Sequence, residues 1–109
     1  MAPSQPWKPS DATDAVRTLA KSDRLRITYT SHVRDRLEER GLTTGDARYV
    51  LKHGFVYEHP QESTQAGLYK YRVESRSPNS GSRTLCVVVI PDVTSLWMKL
   101  VTVMFVDET

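Results

Sequence analysis

The hydrophobic period of this chain changes at Gly54, and that change limits the folds open to it. Before Gly54 the apolar residues recur mainly at helical spacing. After it they alternate or run on continuously, as in strands. Asp11 predicts a cap for a short helix over about 12–21, with Ala15, Val16, Leu19 and Ala20 on its apolar side. Leu25-Arg26-Ile27-Thr28-Tyr29 alternates and reads as a short strand. It leads into a helix over 31–40, with Thr30 or Ser31 as cap and Gly41 placed for the left-handed turn that ends it. Thr43 and Asp46 stand at capping-box spacing and open a second helix over 44–53, with Ala47, Val50 and Leu51 as its apolar side. Lys52 and His53 complement its dipole, and Gly54 ends it.

Strand patterns follow. Residues 55–58 read as a short strand. Over 68–75, Tyr69, Tyr71 and Val73 face one way, and Lys70, Arg72 and Glu74 the other. Residues 77–82 form a polar turn, and 84–90 are nearly all apolar, as in a central buried strand. Pro91-Asp92 is expected to break that strand, and 96–105 to form the last one. The reading is α+β: two or three N-terminal helices packed on one face of a mainly antiparallel sheet of three to five strands. Residues 1–10 carry three prolines and no periodicity. They read as a flexible or loosely docked tail that Trp7 can pin, followed by an N-terminal helix over 11–24 and the α+β domain over 25–109.

Composition narrows the chemistry. With 109 residues there is room for one core. The single cysteine, Cys86, lies in an apolar run, so there is no internal disulfide and no cysteine-built zinc site. Cys86 reads as a small buried hydrophobe. Three histidines without close ligand spacing predict no metal, and no cofactor is expected; no glycine-rich phosphate loop is present. No apolar stretch is long enough to span a membrane and no signal-peptide pattern is seen, so a cytoplasmic protein without a membrane partner is expected. Residues 1–54 hold ten Lys/Arg against seven Asp/Glu, and 55–109 hold five against six. The basic excess lies with the helical half, which permits a nucleic-acid partner without demanding one.

The segment most suggestive of chemistry is Ser31-His32-Val33-Arg34-Asp35-Arg36-Leu37-Glu38-Glu39-Arg40. At about 100° per residue, Arg36 and Arg40 fall roughly 40° and 80° from His32, while Val33 and Leu37 fall at roughly 100° and 140°. A His32/Arg36/Arg40 stripe thus borders the buried face, where side chains can line a cleft. An imidazole beside two permanent cations suits a phosphate-bearing substrate. The plain alternative is a solvated helix in which Arg34 and Glu38 form an ordinary pair one turn apart. His53, at a helix end, and His59, before a proline, are weaker candidates.

Taken together, His32, Arg36, Arg40-Gly41, Asp46, Val50-Leu51, Gly54, the strand from Gly67 to Tyr71-Arg72, the apolar strand 85–90 and Thr102-Val103 form a known pattern. The chain resembles a bacterial family catalogued as a domain of unknown function. That family is grouped with the barnase/EndoU/colicin/RelE-like ribonuclease superfamily, which includes the RelE-, HigB- and MqsR-type toxins. The resemblance covers roughly residues 25–106. It implies a RelE-like fold, metal-independent endoribonuclease activity of toxin–antitoxin type, RNA as substrate and a cognate antitoxin as protein partner. The expected catalytic set is His32 as acid or base, Arg36 and Arg72 on the phosphate, and Thr102 on the phosphate or on His32. Arg40 and Lys70 are the expected RNA-phosphate contacts.

Two other readings are compatible with the residues. The paired helices resemble a DNA-reading helix-turn-helix, with Arg48 and Lys52 toward a groove, but they are also the available cover for the sheet. A catalytically silent protein-binding module would use the Pro-rich tail and the Tyr-rich strand as contacts. Tyr49, Tyr69 and Tyr71 are available for base stacking or for the core.

Overall fold

The computed structural model describes residues 4–108. Among them, in chain order, are α1 (Pro9–Ala20), β1 (Arg26–Tyr29), α2 (Ser31–Glu39), α3 (Thr44–His53), β2 (Phe55–Val56), β3 (Gln61–Glu62), β4 (Tyr69–Ser75), β5 (Leu85–Asp92), β6 (Trp97–Phe105) and a closing 3-10 turn (Val106–Glu108). The six strands form a mainly antiparallel sheet in the order β1-β6-β5-β4-β2, with β3 also on β4. The α+β reading holds, with one strand more than expected, because the edge beside β4 is split into two short pieces. β1 pairs with β6 in parallel, through Ile27↔Met98 and Tyr29↔Leu100.

Local chemistry explains the helix ends. α1 starts at Pro9, which supplies a preset φ where no N–H partner is needed, so Asp11 lies inside the first turn and complements the dipole instead of capping. The Thr30 hydroxyl accepts from the Val33 N–H and starts α2. α2 closes with paired bonds, Gly41 N–H to Glu38 O and Leu42 N–H to Leu37 O, around Gly41 at φ 68°. α3 begins in a reciprocal Thr43/Asp46 capping box.

One core lies between the helices and one face of the sheet. Val16 and Leu19 of α1, Val33 and Leu37 of α2, and Val50 and Leu51 of α3 meet Tyr71 and Val73 of β4, Val87 and Val89 of β5, and Leu100 and Val103 of β6. At Gly54 the backbone passes so close to β4 that an added Cβ would stand 2.6 Å from Val50 O and 2.8 Å from Val73 Cγ1.

Two expectations are corrected. Pro91 does not end β5, which runs on to Asp92. It stays paired with Met98 of β6, while the β4–β5 ladder has already stopped at Tyr71↔Val89, so no ladder N–H is missed on that side. The Gln5 side chain fills the gap: it accepts from Tyr69 N–H (2.9 Å) and donates to Pro91 O (2.8 Å). The segment read as a flexible or loosely docked tail is firmly docked from Gln5 onward. Trp7 is 3% exposed and stacks on Tyr71 at 5.3 Å, and its backbone N–H donates to the Tyr71 hydroxyl. Residues 1–3 of that expected tail lie outside the described residues.

A β-bulge divides β6. Val88 faces Thr102, but Val89 faces Leu100, so Val101 is an extra residue. Met98 and Leu100 point into the core before the bulge, and Val103 and Phe105 after it. Thr102 is thereby turned to the face of the sheet away from the helices.

Candidate functional site

That outer face carries the polar residues of three strands in register. Arg72 of β4 pairs with Val88 of β5, and Val88 pairs with Thr102 of β6, making one cross-strand row. Two strand spacings make this floor about 10 Å wide. Over it lies a cleft of about 270 Å³, lined by Lys70 and Arg72 on β4, Val88 on β5, Val101, Thr102 and Met104 on β6, and Glu58, His59 and Gln61 from the other edge.

α2 brings His32 to the rim. Its first turn is fastened to β6 at two levels: Thr30 Oγ1 donates to Leu100 O (3.4 Å), and His32 Nε2 is hydrogen-bonded to Thr102 Oγ1 (3.1 Å). His32 is otherwise exposed. The sequence reading named Thr102 as a residue to orient His32, and the two are in contact.

Arg72 has an unusual environment. Its Nε is shut off from solvent and has no hydrogen-bond partner among the described residues. A buried N–H without an acceptor costs free energy. Diagonally across on β5, on the same face of the sheet, lies Cys86. Burial pushes this thiol up to about 11; the Arg72 guanidinium pulls the other way, and Glu74 and Glu58 push further up. Cys86 is therefore a protonated, buried side chain near neutral pH, unsuited to act as a nucleophile.

The rest of the expected set is distributed along α2. Arg36 lies one turn beyond His32, half-buried, and its side chain makes no hydrogen bond or ion pair among the described residues. Arg40 is held elsewhere. Its Nε and Nη2 donate to the two Glu108 carboxylate oxygens at 2.7 and 2.6 Å. That bond holds the Glu108 carboxyl at about 2, against burial. Arg40 thus lines a separate depression with Glu39, Arg83, Phe105 and Glu108, outside the cleft of His32 and Arg72.

Other candidates settle into structural places. Tyr71 is fully buried under Trp7 and is unavailable to a base. Tyr49 is 42% exposed on α3 and packs on His53 at 4.4 Å, away from the cleft. Arg48 and Lys52 line a groove with Lys21, Leu25, Ile27 and Tyr29 beside the edge strand β1. Among the described residues no group of three or more His, Cys, Asp or Glu is arranged to hold a metal ion.

Sequence reasoning passed over Glu58 and His59 as cleft residues. It took 55–58 as strand, whereas β2 stops at Val56, and residues 57–60 leave the sheet before pairing resumes at Gln61. The only local sign was Pro60 after His59.

The match to known families follows this geometry. A family model described as "Domain of unknown function (DUF4258)" matches residues 29–105. The chain belongs to that family. The DUF4258 span opens one residue before Thr30 and closes with β6, so it contains His32, Arg36, Lys70, Arg72 and Thr102. It leaves out α1 and Glu108, the partner of Arg40. No curated protein and no solved structure matches the chain.

Proposed function

We propose that this DUF4258 domain is a metal-independent endoribonuclease of toxin–antitoxin type, acting on RNA and held in check by a cognate antitoxin protein. One observation carries the reading: the His32–Thr102 hydrogen bond fixes an imidazole at the rim of a cleft whose floor holds the unpaired Arg72 Nε. Imidazole is the side chain best suited to proton transfer near neutral pH. A guanidinium binds two phosphate oxygens in one plane.

In the proposed reaction the RNA supplies its own nucleophile. The 2′-oxygen attacks the adjacent phosphorus, the bond from phosphorus to the 5′-oxygen breaks, and a 2′,3′-cyclic phosphate remains. His32 acts as acid or base, with Thr102 orienting its ring. Arg72 and Lys70 hold the phosphate and offset the charge of the crowded phosphorane, and Arg36 extends the cationic wall along α2. Arg40, bound to Glu108, anchors the end of α2 to the closing turn.

A protein-binding module with the same fold is the second reading. It is favoured by the edge of β1, where half-buried Leu25, Ile27 and Tyr29 lie beside Lys21, Arg48 and Lys52.

The test is induced expression in a bacterial host of the native chain, His32→Ala and Arg36→Ala, each checked for soluble folding. The nuclease reading expects growth arrest and RNA fragments ending in cyclic phosphate from the native chain alone. Cleavage by the purified His32 variant should fall roughly 10²–10⁴-fold. Three chains that behave alike would overturn it and turn attention to the β1 edge.

A further inference from the structure

A single imidazole leaves the proposed reaction half-equipped. In-line displacement needs one group to take the 2′-hydroxyl proton and another to give a proton to the departing 5′-oxygen. His32 reaches the cleft through Thr102 of its floor, and the cleft offers a second titratable ring, His59, in its lining from the β4 side. His59 comes from the connection between β2 and β3, beyond β4, whereas His32 comes from α2, beyond β6. The floor between them is the Arg72–Val88–Thr102 row. Thr102 both lines the cleft and holds His32.

We infer that His59 is the second acid–base group of this cleft, paired with His32 across a ribonucleotide phosphate seated on Arg72 and Lys70. The inference deepens the nuclease reading and rests on it for the chemistry; His59 in the cleft lining and the His32–Thr102 bond stand apart from that reading. The proton balance is closed. One imidazole accepts the 2′-hydroxyl proton as the oxygen–phosphorus bond forms. The other donates its proton to the 5′-oxygen as that bond breaks. Exchange with water then resets both rings.

The surroundings of His59 fit this role. It is exposed, so a substrate can reach it. The charged and polar residues that line the cleft with it are Glu58 on its own segment, Gln61 on β3, Lys70 and Arg72 on β4, and Thr102 on β6. Glu58 can steady a protonated ring, and Lys70 and Arg72 draw the phosphate between the rings. His53 provides an internal control, because it packs on Tyr49 of α3, outside the cleft.

The test follows the ring C–H resonances of the three histidines in the full chain by NMR, over a pH titration with and without inorganic phosphate and then cytidine 3′-monophosphate. Assignment uses His32→Gln, His53→Gln and His59→Gln. In parallel, the pH–rate profile of RNA cleavage is measured for each. The expected result is an upward shift of the midpoints of His32 and His59 on phosphate binding, with His53 unmoved and the shift lost in Arg72→Ala. His59→Gln should lose roughly 10²–10⁴-fold in rate and one limb of a bell-shaped profile, with His32→Gln losing the other limb. Paired shifts without any cleavage by the native chain would retain the two-ring phosphate site and overturn the nuclease reading. A shift of His32 alone, or native cleavage with both limbs intact in His59→Gln, would overturn the role of His59 and leave the nuclease reading standing.

Discussion

Replacing Asp46 by Asn should weaken the fold by an amount that depends on pH in a defined way. Asp46 is 1% exposed at the start of α3. Burial by itself would raise its pKa. Instead, Oδ1 accepts from the Asn79 N–H (2.9 Å), and Oδ2 accepts from the Thr43 N–H (2.8 Å), the Thr43 hydroxyl (3.1 Å) and the Asn79 amide (2.9 Å). These donors overcome burial and bring the carboxyl from 3.8 to about 2. Through linkage that gap is worth about 2 kcal/mol. Because the folded value is depressed, this stability is fully present above the unfolded value and is lost as pH falls through the folded one. Asn keeps the shape but turns one NH₂ toward a donor, a further cost of about 1–3 kcal/mol. The assay is urea denaturation of both chains from pH 7 to pH 2. The native chain should be more stable by about 3–5 kcal/mol at neutral pH. The gap should stay constant down to about pH 4 and narrow by about 2 kcal/mol toward pH 2. Glu108 also titrates low, but it does so in both chains and cancels in the difference. A gap that stays flat to pH 2 would refute the argument that these donors stabilise the carboxylate.

Three further outcomes are expected. Gly54→Ala should cost about 1–3 kcal/mol in thermal denaturation, because its Cβ would press on Val50 O and Val73; its φ of −79° is open to any residue, so the cost comes from space alone. Trp7→Ala should cost about 3–5 kcal/mol, since it empties a buried site and uncovers Tyr71; a loss under 1 kcal/mol would mean that the N-terminal segment does not hold the sheet in solution. Cys86 should react with a thiol reagent at pH 7 far more slowly in the native chain than after urea unfolding, because the thiol is both buried and raised to about 11.

How much of this was legible in the sequence depended on the range of the interactions. α3 is bounded as read, 44–53, because both its ends are encoded within a few residues, by Thr43/Asp46 and by Gly54. The alternation of β4 is likewise local, and it put Lys70 and Arg72 on one face and Tyr71 and Val73 on the other. The bulge in β6 left a trace that was not used: the apolar positions 98 and 100 are even, whereas 103 and 105 are odd, so the phase slips between them. The parallel pairing of β1 with β6, the docking of Gln5 and Trp7 on β4 and β5, and the Arg40–Glu108 pair join residues at least 64 positions apart. No local period announces such contacts. His59 ranked only as a weaker candidate for a related reason. Its place at the cleft depends on where a split edge strand leaves the sheet, and its own neighbours carry no pattern.

The long reach of these contacts bears on how the domain comes into being. Gln5 and Trp7 need Tyr69, Tyr71 and Pro91, and β1 needs β6. A chain growing from its N-terminus therefore holds Trp7, Leu25 and Ile27 uncovered until the strands between 69 and 105 have been made. Long-range pairing of this kind slows folding and exposes apolar surface meanwhile. It also means that His32, translated early, has no partner until Thr102 emerges. Partly made chains would then lack an assembled cleft, which closes only with the completion of the sheet.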